Sequence, residues 1–233
     1  MSHVTLIEPV VADNVAHRLK LGLVTAAPVQ IGPAGTSLEE DIASTCRALR
    51  EHYGNAEPAD IIGLKTAREL YHAFGIDPTR TRPSSEALLR RIVRGKPFPR
   101  INNAVDWGNL VAVKTLLPLG LYDTNKLRGT VLLREGDPGE AYPGIRKETV
   151  HLEGRPTLVD GDGPFGNPTS DSLRTSVDDS CTALTLVLFA PPSVTTAVLT
   201  EHVQMIARGM AEHLGGMQGP VVTATKVWAT TRS

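Results

Sequence analysis

The chain has 233 residues, 41% apolar, 21% charged and only 4% aromatic, with a net charge of −1. That length supports one sizeable core, here resting on Leu, Val, Ile and Ala, and the composition is that of an ordinary globular protein. No run approaches a membrane span, the near-zero charge gives no overall nucleic-acid signal, and Cys46 and Cys181 stand too far apart for a metal-type pair.

The first residues, HVTLIEPVV, read as a strand, with no basic region and apolar run of a signal peptide. With two reduced thiols, the expected compartment is the cytoplasm. A short helical or irregular piece leads to a second strand over Leu21 to Thr25. The stretch SLEEDIASTCRALREHYG is an amphipathic helix with Ile42, Cys46 and Leu49 on one face, acids in its first turn and Gly54 after its end. A second helix follows in LKTARELYHAFG, where Leu64, Ala67, Leu70, Tyr71 and Phe74 keep helical spacing. A third, SSEALLRRIVRGK, is fenced by Pro83 and Pro97 and expected to be capped by Ser84 or Ser85. A fourth runs from near Asp106, itself a candidate N-cap, to before Pro118, with Leu110, Val113 and Leu117 inward.

The pattern then shifts to strands: GTVLLREG, RPTLVDG and the buried run ALTLVLFAP. A long helix follows, with Val198, His202, Met205 and Leu214 near one stripe, and VVTATKVW closes as a strand. Helices and strands mix without regular alternation, which predicts an α+β fold, a mixed sheet with packed helices.

Charge is unevenly placed. Residues 77–100 carry Arg80, Arg82, Arg90, Arg91, Arg94, Lys96 and Arg100 against Asp77 and Glu86, a local +5, while the rest of the chain is −6. Such a patch is the footprint of a phosphate-bearing partner or a solvated helix face, and charge alone leaves both open.

The segment LVDGDGPFGNPTSDSLRT, residues 158–175, holds a G-x-G-x-x-G match at Gly161, Gly163 and Gly166. A dinucleotide loop needs a helix right after the glycines, and Pro168 stands where that helix must donate a hydrogen bond. The match is therefore a structural turn. The crowd that follows, Thr169, Ser170, Asp171 and Ser172, either satisfies its own backbone through side-chain turns or forms the wall of a polar pocket. His72, His151, His202 and His213 are scattered, so no metal site is expected.

A longer stretch adds specificity. In PRINNAVDWGNLVAVKTLLPLGLYDTNKLRGTVLLREGDPGE, the runs Asn103-Ala104-Val105-Asp106, Pro118 to Asp123 (read as a turn), Lys126-Leu127-x-Gly129 and Gly139-Glu140 come in order. The sequence from about Arg100 to Pro191 resembles, through these motifs, the B3/B4 editing module of the phenylalanyl-tRNA synthetase beta chain. Residues 60–100 and the last helix resemble it only in element order. Gly166 falls near that family's Gly-Gly and Ser170-Asp171 near its Ser-Glu. Gly120 stands where the family carries histidine, and the editing glutamate aligns with Pro168 or with a position near Asp171.

The resemblance implies a B3/B4-like fold over residues 1–233, with 1–60 as an N-terminal strand–helix portion. It implies a free-standing module, too short to hold the synthetase core, that hydrolyses the ester of a mischarged tRNA in trans. Free-standing relatives act on non-protein amino acids, including canavanine. No cofactor, membrane or DNA partner is implied. Ester hydrolysis needs a positioned water, a proton acceptor and oxyanion donors. Asp171, Ser170 and Thr169 are the expected catalytic set. Asn102, Asn103, Asp106, Gly120, Asp123, Gly163, Gly166 and Ser172 are the expected substrate-binding set. Arg80, Arg82, Arg90, Arg91, Arg94 and Lys96 are the expected tRNA contacts. A non-catalytic RNA-binding module is the competing reading, and a small-molecule hydrolase on a reused pocket a weaker third.

Overall fold

The computed structural model describes residues 7–54, 61–145, 149–215 and 222–229. Its centre is β9 (Leu184–Ala190), an apolar run in which every residue is buried. On one side β9 pairs antiparallel with β2 (Lys20–Ala27), which pairs onward with β10 (Val222–Trp228). On the other side lies β3 (Leu119–Asp123), also antiparallel, giving the order β10-β2-β9-β3. Strand side chains alternate between faces. Leu186 and Leu188 therefore join one apolar cluster, and Val187 and Phe189 another.

The first cluster is covered by α2 (Thr36–Tyr53), α5 (Asn103–Thr115) and α6 (Thr196–His213), which supply Ile42, Trp107, Leu110, Leu199, Val203 and Met210. The second is covered by α3 (Ile62–Ala73) and a further sheet of β1 (Val10–Val11), β4 (Leu132–Glu135), β7 (Pro156–Asp160) and β8 (Gly163–Gly166). In that sheet β1 runs parallel to β4 and the other pairs are antiparallel, so the expected mixed α+β architecture is present. Each fully buried Leu or Phe in these clusters contributes about 1.5–3 kcal/mol. A third layer of chain, α4 (Ser84–Val93), packs on α2 and α5. A four-residue helix α1 (Asp13–Ala16) and the small pair β5 (Ala141–Tyr142) and β6 (Val150–His151) complete the elements.

Several local expectations are corrected. Of the first strand, Val10–Val11 pair with β4, and residues 1–6 lie outside the described residues. Pro118 to Asp123, expected as a turn, is largely strand β3, because its alternate residues Gly120 and Tyr122 face the second sheet while Leu119 and Leu121 face the helices. The buried stripe of α6 is Leu199, Val203, Ile206 and Met210, one position on from Val198, His202 and Met205, and Val198 is exposed. Thr195 caps that helix through Val198 N, which sets its phase. Neither Ser84 nor Ser85 caps α4: Pro83 occupies the cap position, and the Ser85 hydroxyl donates to Leu116 O at 3.3 Å.

The glycine segment is a β-hairpin. Asp160 pairs with Gly163 across its tip, and Gly163 adopts φ +113°, open to glycine alone. Asp160 accepts from the backbone N–H groups of Arg128 and Asp162 and is clasped by Arg174 at 2.7 Å. No described helix is long and apolar enough to cross a membrane.

Candidate functional site

β3 is the edge strand of its sheet, and against its unpaired side lies the segment 167–171 that follows β8. The first residue organises this segment locally. Asn167 is buried, and its Oδ1 accepts from Thr169 N and Thr169 Oγ1, both at 2.7 Å, and from Ser170 N at 3.3 Å. That is the side-chain turn expected from a short amide beside hydroxyls. Pro168 prevents a helix, so the backbone groups of the segment need partners from elsewhere.

Tyrosines supply them. The chain has four, and three donate their hydroxyls into this segment. Tyr71 donates to Pro168 O at 2.7 Å, Tyr142 to Ser170 O at 2.5 Å, and Tyr122 to the Asp171 carboxylate at 2.8 Å. Arg155 adds a bond to Thr169 Oγ1 at 3.1 Å. The second Asp171 oxygen accepts from Leu121 N on the β3 edge at 3.1 Å. Burial pushes the Asp171 carboxyl up to about 7, although the Tyr122 and Leu121 donors pull it down. Burial likewise raises the Tyr122 hydroxyl, and the neighbouring Asp171 charge adds to it.

Gly120 and Gly166 make this arrangement possible. A Cβ at Gly120 would lie 1.8 Å from the Tyr122 hydroxyl and 2.9 Å from Asp171 Oδ1, and one at Gly166 would lie 2.2 Å from the same hydroxyl. The space a glycine opens at 120 is thus filled by Tyr122.

Asp171 and Ser170 face a cavity of about 930 Å³ between β3, α4 and α5. Leu119, Leu121, Val105 and Ala112 give it an apolar wall, and Asp171 is its one lining carboxylate among the described residues. The lining continues over α4 and its flanks, with Arg82 before the helix, Arg90 and Arg91 on it, and Arg94 and Lys96 after it. The two segments that the sequence singled out for separate reasons, the basic run and the hydroxyl-rich loop, therefore line one cavity.

The remaining site candidates divide. Asn102 lines the cavity and caps α5 by accepting from Val105 N at 2.9 Å. Asn103 does not line it: buried, it ties α5 to the loop at Gly32 and to His213 O. Asp106 is not an N-cap; its buried carboxylate holds Arg100 Nε and Ile101 N, both at 2.8 Å. Asp123, also buried, caps the turn at Asn125 and faces Lys126. Ser172 is buried and caps a 3-10 turn through Arg174 N, and Gly163 sits at the hairpin tip, so neither lines the cavity. Arg80 is exposed outside the lining.

Sequence reasoning missed Tyr71, Tyr122, Tyr142 and Arg155, because each lies far along the chain from its partner. It also missed Glu86. That buried carboxylate binds Arg68 at 2.8 and 2.9 Å and Arg90 at 2.9 Å. Burial alone would raise its carboxyl; the bonds and charges of Arg68 and Arg90 outweigh that and hold it low. Among the described residues, no group of three or more His, Cys, Asp and Glu is placed to hold a metal ion.

An α+β core with an acid-floored cavity under a basic helix is the class that this fold and site define. Residues 66–212 match the model of the B3/4 domain, and the chain belongs to that family. The matched span leaves out β2 and β10, which nonetheless complete the central sheet. No curated protein matches the chain. Among solved structures it is similar to an N-terminal fragment of the phenylalanyl-tRNA synthetase beta-subunit from Pyrococcus horikoshii, at 12% identity and a TM-score of 0.45. That likeness covers 95% of this chain and 51% of the other, so the chain spans about half the other's length.

Proposed function

We propose that this protein hydrolyses the ester of a mischarged aminoacyl-tRNA in trans. The observation that carries the reading is the cavity itself: a carboxylate poised near neutrality and five cationic side chains in one lining. The cations take the phosphates of the tRNA end, and Asp171 works on the ester. A carboxylate with its midpoint at about 7 suits a general base at neutral pH.

In this reading a water attacks the ester carbonyl and Asp171 takes its proton. The carbonyl oxygen becomes the oxyanion, which the Ser170 hydroxyl stabilises. The C–O bond to the ribose then breaks, and the proton on Asp171 passes to the leaving ribose oxygen. Thr169, whose hydroxyl is already bonded to Asn167 and Arg155, shapes the loop. Asp106 and Asp123 do not line the cavity, so for a basic amino acid such as canavanine Asp171 is the one lining carboxylate among the described residues that its side chain would meet, and the terminal ribose hydroxyl would then share the work on the water. The reading places the whole chain, residues 1–233, in one B3/B4-like domain acting in the cytoplasm.

A panel of tRNAs charged with non-cognate and non-protein amino acids tests this directly, by following loss of the ester. Turnover with at least one, abolished in Asp171→Ala, is the expected result. No turnover across the panel, with tRNA still bound, removes the reading in favour of a non-catalytic RNA-binding module. That second reading draws on Gly120, where the editing family carries histidine.

A further inference from the structure

The cationic wall is more ordered than a charged surface needs to be. Arg82 and Arg90 both turn Nε toward one Glu86 oxygen, at 3.5 and 2.9 Å, and Arg91 turns Nε to Pro97 O at 2.6 Å. Among the described residues, the terminal amines of these three guanidiniums have no protein partner, and all three side chains line the cavity. For Arg90 and Arg91, Nε is thus hydrogen-bonded to the protein while the Nη pair is left to the ligand; Arg82 makes a looser ion pair with Glu86 in the same orientation. A guanidinium held by one edge presents its other edge as a fork, which matches two oxygens of a phosphate.

Glu86 stands behind this arrangement, fully buried on α4 and out of the cavity lining. Arg68 reaches it from α3 and grips both oxygens, which fixes the carboxylate plane. A buried carboxylate beneath a site for anions works against that site by simple charge. Its presence is accounted for if orienting the guanidiniums matters more than the charge it subtracts.

We propose that Glu86 is a positioning residue that aims Arg82 and Arg90 at a phosphodiester of the RNA end, so that Arg82, Arg90 and Arg91 form a built phosphate site on the cavity wall. The proposal rests on the tRNA reading for the identity of the ligand and is independent of any hydrolysis. The sign of one substitution tests it. Glu86→Gln removes one negative charge from behind the wall, so charge alone makes RNA binding tighter, whereas loss of orientation makes it weaker.

The experiment titrates a short single-stranded RNA carrying no aminoacyl ester against the full chain, by fluorescence anisotropy at two salt concentrations. Glu86→Gln is expected to weaken binding by about tenfold, the scale of one charge-assisted fork. Arg90→Lys keeps the charge, loses the fork and is expected to weaken binding by a comparable factor. Arg47→Gln, exposed on α2 away from the cavity, controls for loss of a charge and is expected to bind as wild type. Thermal melts check that each variant folds, and if Glu86→Gln does not, Arg90→Lys decides alone. Unchanged or tighter binding in the folded Glu86→Gln, or unchanged binding in Arg90→Lys, overturns the proposal and leaves the hydrolytic reading standing. Weakened binding in a protein that cleaves no ester supports it while that reading falls.

Discussion

Replacing Tyr122 by Phe removes one oxygen from behind Asp171 and little else. The ring is fully buried against Phe165, and its hydroxyl lies 2.8 Å from Asp171. That bond favours the charged carboxylate, so its loss must raise the Asp171 midpoint above about 7. A hydrogen bond to a charged group contributes about 1.5–3 kcal/mol, and about 1.4 kcal/mol corresponds to one pH unit, so the rise is about one to two pH units. At pH 7 the ionised fraction then drops from about half to about 1–10%, and ester hydrolysis falls by about five- to fifty-fold, recovering toward pH 9. Carbon-13 NMR of the labelled Asp171 carboxyl reads the midpoint without any need for activity, and the pH–rate profile reads its consequence. A midpoint that stays near 7 or moves down in Tyr122→Phe would refute the reasoning, because the hydroxyl would then not be stabilising the charge.

Other perturbations have equally definite signs. The folded midpoint of Asp171 is raised, so the stability linked to it is full below the ordinary carboxylate range and is lost as pH rises through about 7. Asp171→Asn removes that dependence: melting temperatures of wild type and variant should converge or cross in the variant's favour between pH 5 and pH 8.5, and parallel curves would contradict it. Gly120→Ala places a methyl on the Tyr122 hydroxyl and should cost about 1–3 kcal/mol in denaturant unfolding, as overpacking does, while displacing Asp171 and lowering hydrolysis. Gly108 lines the same cavity from α5, and a Cβ there meets Leu121 and Leu119 only at 3.7 and 3.9 Å. Gly108→Leu should therefore fold, gain about 0.5–1 kcal/mol from helix propensity, and slow hydrolysis most for esters of the largest amino acids. Equal slowing across amino acids of all sizes would show that the side chain does not lie between α5 and β3.

Much of the architecture was written locally in the chain. Helices α2 to α5 announce themselves through apolar residues at helical spacing, and β9 through an apolar run bounded by Pro191. Pro168, with the segment's place outside any βαβ unit, argued against a nucleotide loop, since a missing N–H is a property of the residue and not of its surroundings. The motif order from Arg100 to Pro191 carried the family. The hydroxyl-rich loop and the basic run were visible as compositional outliers.

What only the tertiary structure decided is which of these groups meet. Asp171 lies 49 positions from Tyr122, and Thr169 lies 14 from Arg155, and no periodicity reports a pairing made across two sheets. For the same reason, Asp106 and Asp123 looked as available as Asp171 until their carboxylates were seen to hold Arg100, Ile101, Asn125 and Lys126. Glu86 entered the sequence only as a charge to subtract. Buried beneath three arginines, it is instead what gives the basic run a shape. Residue types fix what a side chain is able to do; burial and long-range partners fix which protonation state it holds and which way it points, and those are set only when distant segments pack.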